Sequence, residues 1–192
     1  PETEDEILEV LSYFDKTKSE VLLGANATKS NFLKLKLSDY DVLMFSTHGI
    51  NRDTDRGIND AALVFGWNKD KKYENASEIF LQPNEILELD LNADLIILNA
   101  CNSGLPNTNS APGLTGIAQS FLAAGGDAVM VANWPISSKS TVELMSHMFS
   151  YLTANAEGSF NSALNYAKRS LKSDAKTSHP FFWAPYSIYG NF

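Results

Sequence analysis

Apolar positions along the chain fall into two kinds of pattern. Residues 4–14 (EDEILEVLSYF) set Ile7, Leu8, Val10, Leu11 and Phe14 near helical spacing behind an acidic first turn, which predicts a helix packed through those side chains. Three later stretches hold short apolar runs: 41–47 (DVLMFST), bounded by polar residues, 95–99 (LIILN) and 128–132 (AVMVA). They are too brief for helices and lack the alternation of a half-exposed strand, so each predicts a buried strand of a parallel sheet.

The segments between them change period. A short strand is predicted at 21–23, stopped by Gly24, and then a helix over 27–36 packing Phe32, Leu33 and Leu35. Residues 50–60 (INRDTDRGIND) read as a charged loop, followed by a strand at 61–65 and a Lys-rich turn at 68–72, the whole insert exposed. Helices are predicted at 81–89 and 114–124, the second closed by Gly125-Gly126. A turn-rich loop occupies 102–113. Helices at 139–153, with Ser138 as a cap candidate, and at 159–171 follow. Residues 186–189 read as an edge strand, because Pro185 would break a central ladder.

Strands alternating with helices predict an α/β fold: a mostly parallel sheet with helices on both faces. Sites in such sheets lie at the carboxyl ends of the strands. His48, Cys101 and Trp134 each follow the end of a different predicted strand, so the three should converge on one rim.

Composition narrows the possibilities. The 192 residues suit one domain over 1–192, and 44% hydrophobic residues suffice for a core. With 23 acidic against 15 basic residues the net charge is -8, which opposes nucleic acid and anionic membranes as partners. Nineteen of the acids lie at or before Asp94, leaving a second half that reads as core and site. A single cysteine excludes an intrachain disulfide framework and a multi-cysteine zinc site. With no apolar run of about 18 residues and an acidic start, a cytoplasmic, reducing setting is expected. The start at Pro1 without a methionine reads as a fragment or processed piece.

A thiol at one strand exit and an imidazole at a neighbouring one can form a nucleophile with its base, acid or ion-pair partner. The alternative for an arbitrary lone cysteine is a small buried hydrophobe, with the histidine satisfied at a strand end. Gly49 and Gly104, which let a substrate backbone approach closely, favour the first reading. His147 reads as a helix-packing residue and His179 as a local hydrogen-bonding one, so no metal site is expected. Ser46, Thr47 and Ser103 lack a Ser-His-Asp context. Residues 113–116 (GLTG) lack the lysine and spacing of a phosphate loop, and no cofactor is called for.

Several ordered stretches resemble one family: 40–43 (YDVL) through 46–49 (STHG), 89–91 (LDL) through 99–104 (NACNSG), 121–125 (FLAAG), 133–135 (NWP) and 179–185 (HPFFWAP). Together they resemble the CHAT domain, a relative of the caspase-like cysteine peptidases that occurs with tetratricopeptide repeats. The spacing from His48 to Cys101 is of the order seen in caspases, about 50 residues. The resemblance implies a caspase-like cysteine endopeptidase cleaving a protein substrate. It implies a dyad of His48 and Cys101, an oxyanion hole from the N–H groups of Gly49 and Cys101, and regulation by a repeat segment or partner chain. It also implies a preceding amino-terminal segment, without which a sheet edge would stand open. Asn102, Ser137 and Ser138 depart from acids common in the family. Asn99, Asn133 and Trp134, by their place on the rim, are expected in the wall of the first substrate pocket, though packing and backbone hydrogen bonding would suit them nearly as well. A basic residue before the cut, held by Asp53, Asp55 or Asp60, is the expected preference, with a neutral one close behind. A catalytically silent scaffold of the same fold is the alternative.

Overall fold

The three apolar runs form the centre of one six-stranded sheet. In the computed structural model, which describes residues 2–50, 61–66, 76–100, 116–134 and 138–190, the strands are β1 (Val42–Ile50), β2 (Ala62–Val64), β3 (Phe80–Leu81), β4 (Leu95–Ala100), β5 (Ala128–Ala132) and β6 (Tyr186–Gly190). Their order is β3-β2-β1-β4-β5-β6. The central strands β1, β4 and β5 run parallel, in register from Val42–Leu95 to Thr47–Ala100 and from Ile96–Val129 to Leu98–Val131. The outer strands β2, β3 and β6 pair antiparallel.

Leu95 to Leu98 and Ala128 to Val131 are fully buried because both faces of these strands are covered. Alternate side chains feed two cores. Leu43, Phe45, Ile96, Leu98, Val129 and Val131 pack with α2 (Lys29–Phe32), α3 (Pro83–Ile86) and α4 (Gly116–Ala123). Leu95, Ile97, Ala128 and Met130 pack with α1 (Glu2–Leu11), α5 (Ser138–Ala154) and α6 (Phe160–Ser173), with α7 (Pro180–Trp183) beside them. Each large side chain so buried contributes about 1.5–3 kcal/mol. Gly125, with φ at +109°, ends α4 where a Cβ would meet the Leu91 carbonyl oxygen at 2.2 Å, so the predicted cap must be glycine. Among the described residues no helix is long and apolar enough to cross a membrane.

The structure corrects several local expectations. Residues 21–23 join no strand among the described residues, and Gly24 opens a 3-10 turn (Gly24–Asn26) instead of ending a strand. The helix expected over 27–36 shrinks to the four residues of α2, followed by a second 3-10 turn (Leu37–Asp39). The helix expected over 81–89 is only α3, started by the Gln82–Glu85 capping box, and Leu81 belongs to β3. The insert is not wholly exposed, for Ala62 and Leu63 are fully buried. Ser138 is already helical and so is not itself a cap. The buried side chains of α1 are Glu6 and Val10, while Leu8 and Phe14 are exposed. The helix expected from 159 begins at Phe160 with Ser159 as its cap, and β6 is an edge strand as expected.

The β1 edge opposite β4 is open along Val42 to Thr47 among the described residues, since β2 pairs only with His48 to Ile50. A cleft of about 190 Å³ borders that edge, lined also by Val21, Leu22, Phe32, Tyr40 and Phe65.

One buried cation ties α2 to the strands beyond it. Lys29 is 4% exposed, and its Nζ donates to the carbonyls of Ser77 (2.7 Å) and Phe80 (2.9 Å) and pairs with the Glu85 carboxylate. Lys29→Ala should therefore destabilise the protein by about 1–3 kcal/mol, because it removes the ammonium that two carbonyls and the Glu85 carboxylate share. Lys36, which pairs with Asp39 in the open, should leave the urea midpoint unchanged on conversion to alanine. Equal midpoint shifts in urea titrations of the two variants would contradict this.

Candidate active site

At the carboxyl end of the parallel strands, β1 does something its sequence conceals. Among the described residues the parallel ladder with β4 runs to Thr47–Ala100, and β1 continues for three residues by pairing with β2: His48 opposite Val64, Gly49 opposite Leu63, Ile50 opposite Ala62. His48 thus follows the parallel ladder, as expected, while lying inside a strand and not beyond it. Its side chain is exposed, and among the described residues no group hydrogen-bonds its imidazole. Gly49 is half-buried.

Alternation along β1 puts Val42, Met44, Ser46 and His48 on one face. The same period puts Leu95, Ile97 and Asn99 on that face of β4, with Asn99 in register beside Ser46. A polar network crosses here. The Asn99 Oδ1 accepts from the Tyr186 hydroxyl at 3.0 Å, and that hydroxyl lies 3.4 Å from the Thr141 Oγ1. The Asn99 Nδ2 reaches the Glu6 Oε2 at 3.5 Å, and the Ser46 hydroxyl donates to the same oxygen.

Asn133 and Trp134 follow β5 and are engaged by the fold. The Asn133 backbone N–H and Nδ2 both donate to the Pro185 carbonyl, at 2.8 and 2.7 Å, and its Nδ2 also reaches the Ser187 Oγ at 3.0 Å. Trp134 donates from Nε1 to the Phe181 carbonyl at 3.1 Å. Both therefore hold the segment leading into β6. Lys168 adds to this, donating to the Tyr186 carbonyl at 2.6 Å, and burial pulls its ammonium below the ordinary lysine range. Of the other histidines, His179 caps α7 by accepting from the Phe181 N–H at 3.2 Å, whereas His147 is exposed, with its ring edge-on to Tyr166.

The structure thus brings His48, Gly49 and Asn99 to adjacent strand ends, with Asn133 and Trp134 at the next strand. Cys101, Asp53, Asp55 and Asp60 lie outside the described residues. Sequence reasoning missed Glu6, Tyr186 and Thr141, and dismissed Ser46. One signal was present: Glu6, Val10 and Tyr13 share a helical stripe, so a carboxylate stands in line with buried apolar positions.

Comparison with known proteins agrees with this architecture. The family model of the CHAT domain matches residues 1–191. Tetratricopeptide repeat protein 28 of Mus musculus is 28% identical over 114 residues, and that of Homo sapiens 27% identical over 114 residues. Each match covers 59% of this chain and 4% of the relative, so the chain spans a small fraction of the length of these relatives.

The Asn133 contacts generate a test of its role. Asn133→Ala should cost about 1–3 kcal/mol of stability, because it leaves the Pro185 carbonyl and the start of β6 without their side-chain donor. Chemical denaturation measures this, and an unchanged unfolding free energy would assign Asn133 to ligand contact alone.

Proposed function

The chain belongs to the CHAT domain family, whose fold is caspase-like, and on that premise we propose that it is a cysteine endopeptidase acting through Cys101 and His48. One observation carries the reading. Thr47 and Ala100 are a registered pair of the β1–β4 ladder, and the next residue in sequence is His48 after the first and Cys101 after the second. Parallel neighbours stand about 4.8 Å apart, and consecutive Cα atoms about 3.8 Å apart. Connectivity alone therefore holds the Cα atoms of His48 and Cys101 within about 12 Å. The exposed imidazole of His48 supports the same reading, for a purely structural histidine at a strand end would more commonly be claimed by the fold.

In this mechanism the Cys101 thiolate, favoured by the neighbouring imidazolium, attacks the carbonyl carbon before the scissile bond. The N–H groups of Gly49 and Cys101 receive the oxyanion. The C–N bond breaks as His48 gives its proton to the leaving amine, and a thioester joins the acyl group to Cys101. Water then attacks the thioester with His48 as base, releasing the acid and the thiol. A basic residue before the cut, met by Asp53, Asp55 or Asp60, is the selectivity we assign. Asn99 is committed to the buried network and Trp134 to Phe181, so their part in a pocket wall is secondary. The relatives carry tetratricopeptide repeats in their names, which supports a repeat segment or chain as the regulatory partner.

Exposure of a peptide library to the full chain, with its repeat partner where one is found, tests the assignment. Cleavage is expected with the native chain, and Cys101→Ala or His48→Ala should each lower it by at least about 10³-fold. Cleavage retained in Cys101→Ala would refute the dyad. No cleavage by the native chain with its partner would favour the silent scaffold.

A further inference from the structure

Beneath the strand ends lies a carboxylate that the proposed chemistry leaves unused. Glu6 projects from α1 and is 5% exposed. One of its oxygens, Oε2, accepts from the Ser46 hydroxyl of β1 and stands 3.5 Å from the Asn99 Nδ2 of β4. These donors are register partners. Each lies two residues before a proposed dyad member in sequence: Ser46 before His48, Asn99 before Cys101. From Asn99 the chain of contacts continues through Tyr186 of β6 to Thr141 of α5, so five elements meet in one polar line.

Burying a carboxylate costs several kcal/mol, which an apolar side chain on α1 would avoid. Replacing it with leucine would, however, take the shared acceptor from Ser46 and Asn99. The position is also specific: the clamp sits at the next-to-last registered pair of the parallel ladder, on the face that His48 shares. We infer that Glu6 is a positioning residue for the dyad: by accepting from both strands it fixes β1 and β4 two residues before His48 and Cys101 in sequence. This rests on the dyad assignment above.

Cys101 is the chain's single cysteine, so its alkylation by iodoacetamide, followed by mass spectrometry, reads the site without a known substrate. In the folded full chain, Glu6→Leu should slow alkylation about tenfold, since small displacements at a reacting pair are costly. Glu6→Gln keeps an acceptor oxygen at the same reach and should stay within about twofold of the native rate. Ser46→Ala should slow it in the same direction as Glu6→Leu. A merely structural loss would do the opposite, because local unfolding uncovers the thiol and speeds alkylation. His48→Ala is the arm that tests the dyad itself and should also slow the reaction.

If His48→Ala slows alkylation while Glu6→Leu matches or exceeds the native rate, the positioning role is overturned and the dyad stands. If Glu6→Gln is as slow as Glu6→Leu, hydrogen bonding is not what Glu6 supplies and the inference falls. Should Glu6→Leu fail to fold, an unchanged rate in Ser46→Ala overturns the inference. A native rate in His48→Ala overturns the dyad, and this inference with it.

Discussion

Six consecutive Cα pairs, from Val42–Leu95 to Thr47–Ala100, lock β1 to β4, and a slip of one residue would turn every side chain of one strand to the opposite face. Such a slip would push Phe45 and Met44 into each other's cores and bring Ser46 out of line with Asn99. The fully buried Leu95 to Leu98 make that cost large, since each of those side chains would leave its packed site. Register is thus fixed by apolar packing deep in the sheet and is delivered, at no further cost, to the polar strand ends. The placement of His48 depends on it.

The parallel core was the most legible part of the sequence, and for a physical reason. A strand buried on both faces must be apolar at every position, and 95–99 and 128–132 are apolar at nearly all of theirs. The end of β1 was less legible because His48, Gly49 and Ile50 pair with β2 antiparallel, outside the apolar parallel run, where polar residues are tolerated. The short elements α2, α3 and α7 failed or were missed because four residues cannot display a helical period. Residues 21–23 have strand composition, but propensity does not supply a neighbour to pair with.

The candidate site divides the same way. His48 and Gly49 were legible because a site in a parallel sheet gathers at the carboxyl ends of its strands. For Asn133 and Trp134 a role in backbone hydrogen bonding was legible but the partners were not, because Pro185, Ser187 and Phe181 lie about fifty residues further along the chain. Glu6 was hidden differently. Acids near a helix start are expected from the helix dipole, so a carboxylate in α1 reads as ordinary unless its stripe is compared with Val10 and Tyr13.

Proximity of residues 48 and 101 is what the dyad requires, and a disulfide trap measures it without a substrate. With Cys101 the single native cysteine, His48→Cys creates one possible intrachain pair, which closes only when the two Cα atoms come within about 7 Å. Mild oxidation of the folded variant should consume both thiols in a monomer, and the same treatment in denaturant should close the bond far more slowly. Two thiols that stay titratable in the folded chain, or that join only between molecules, would contradict the juxtaposition of His48 and Cys101.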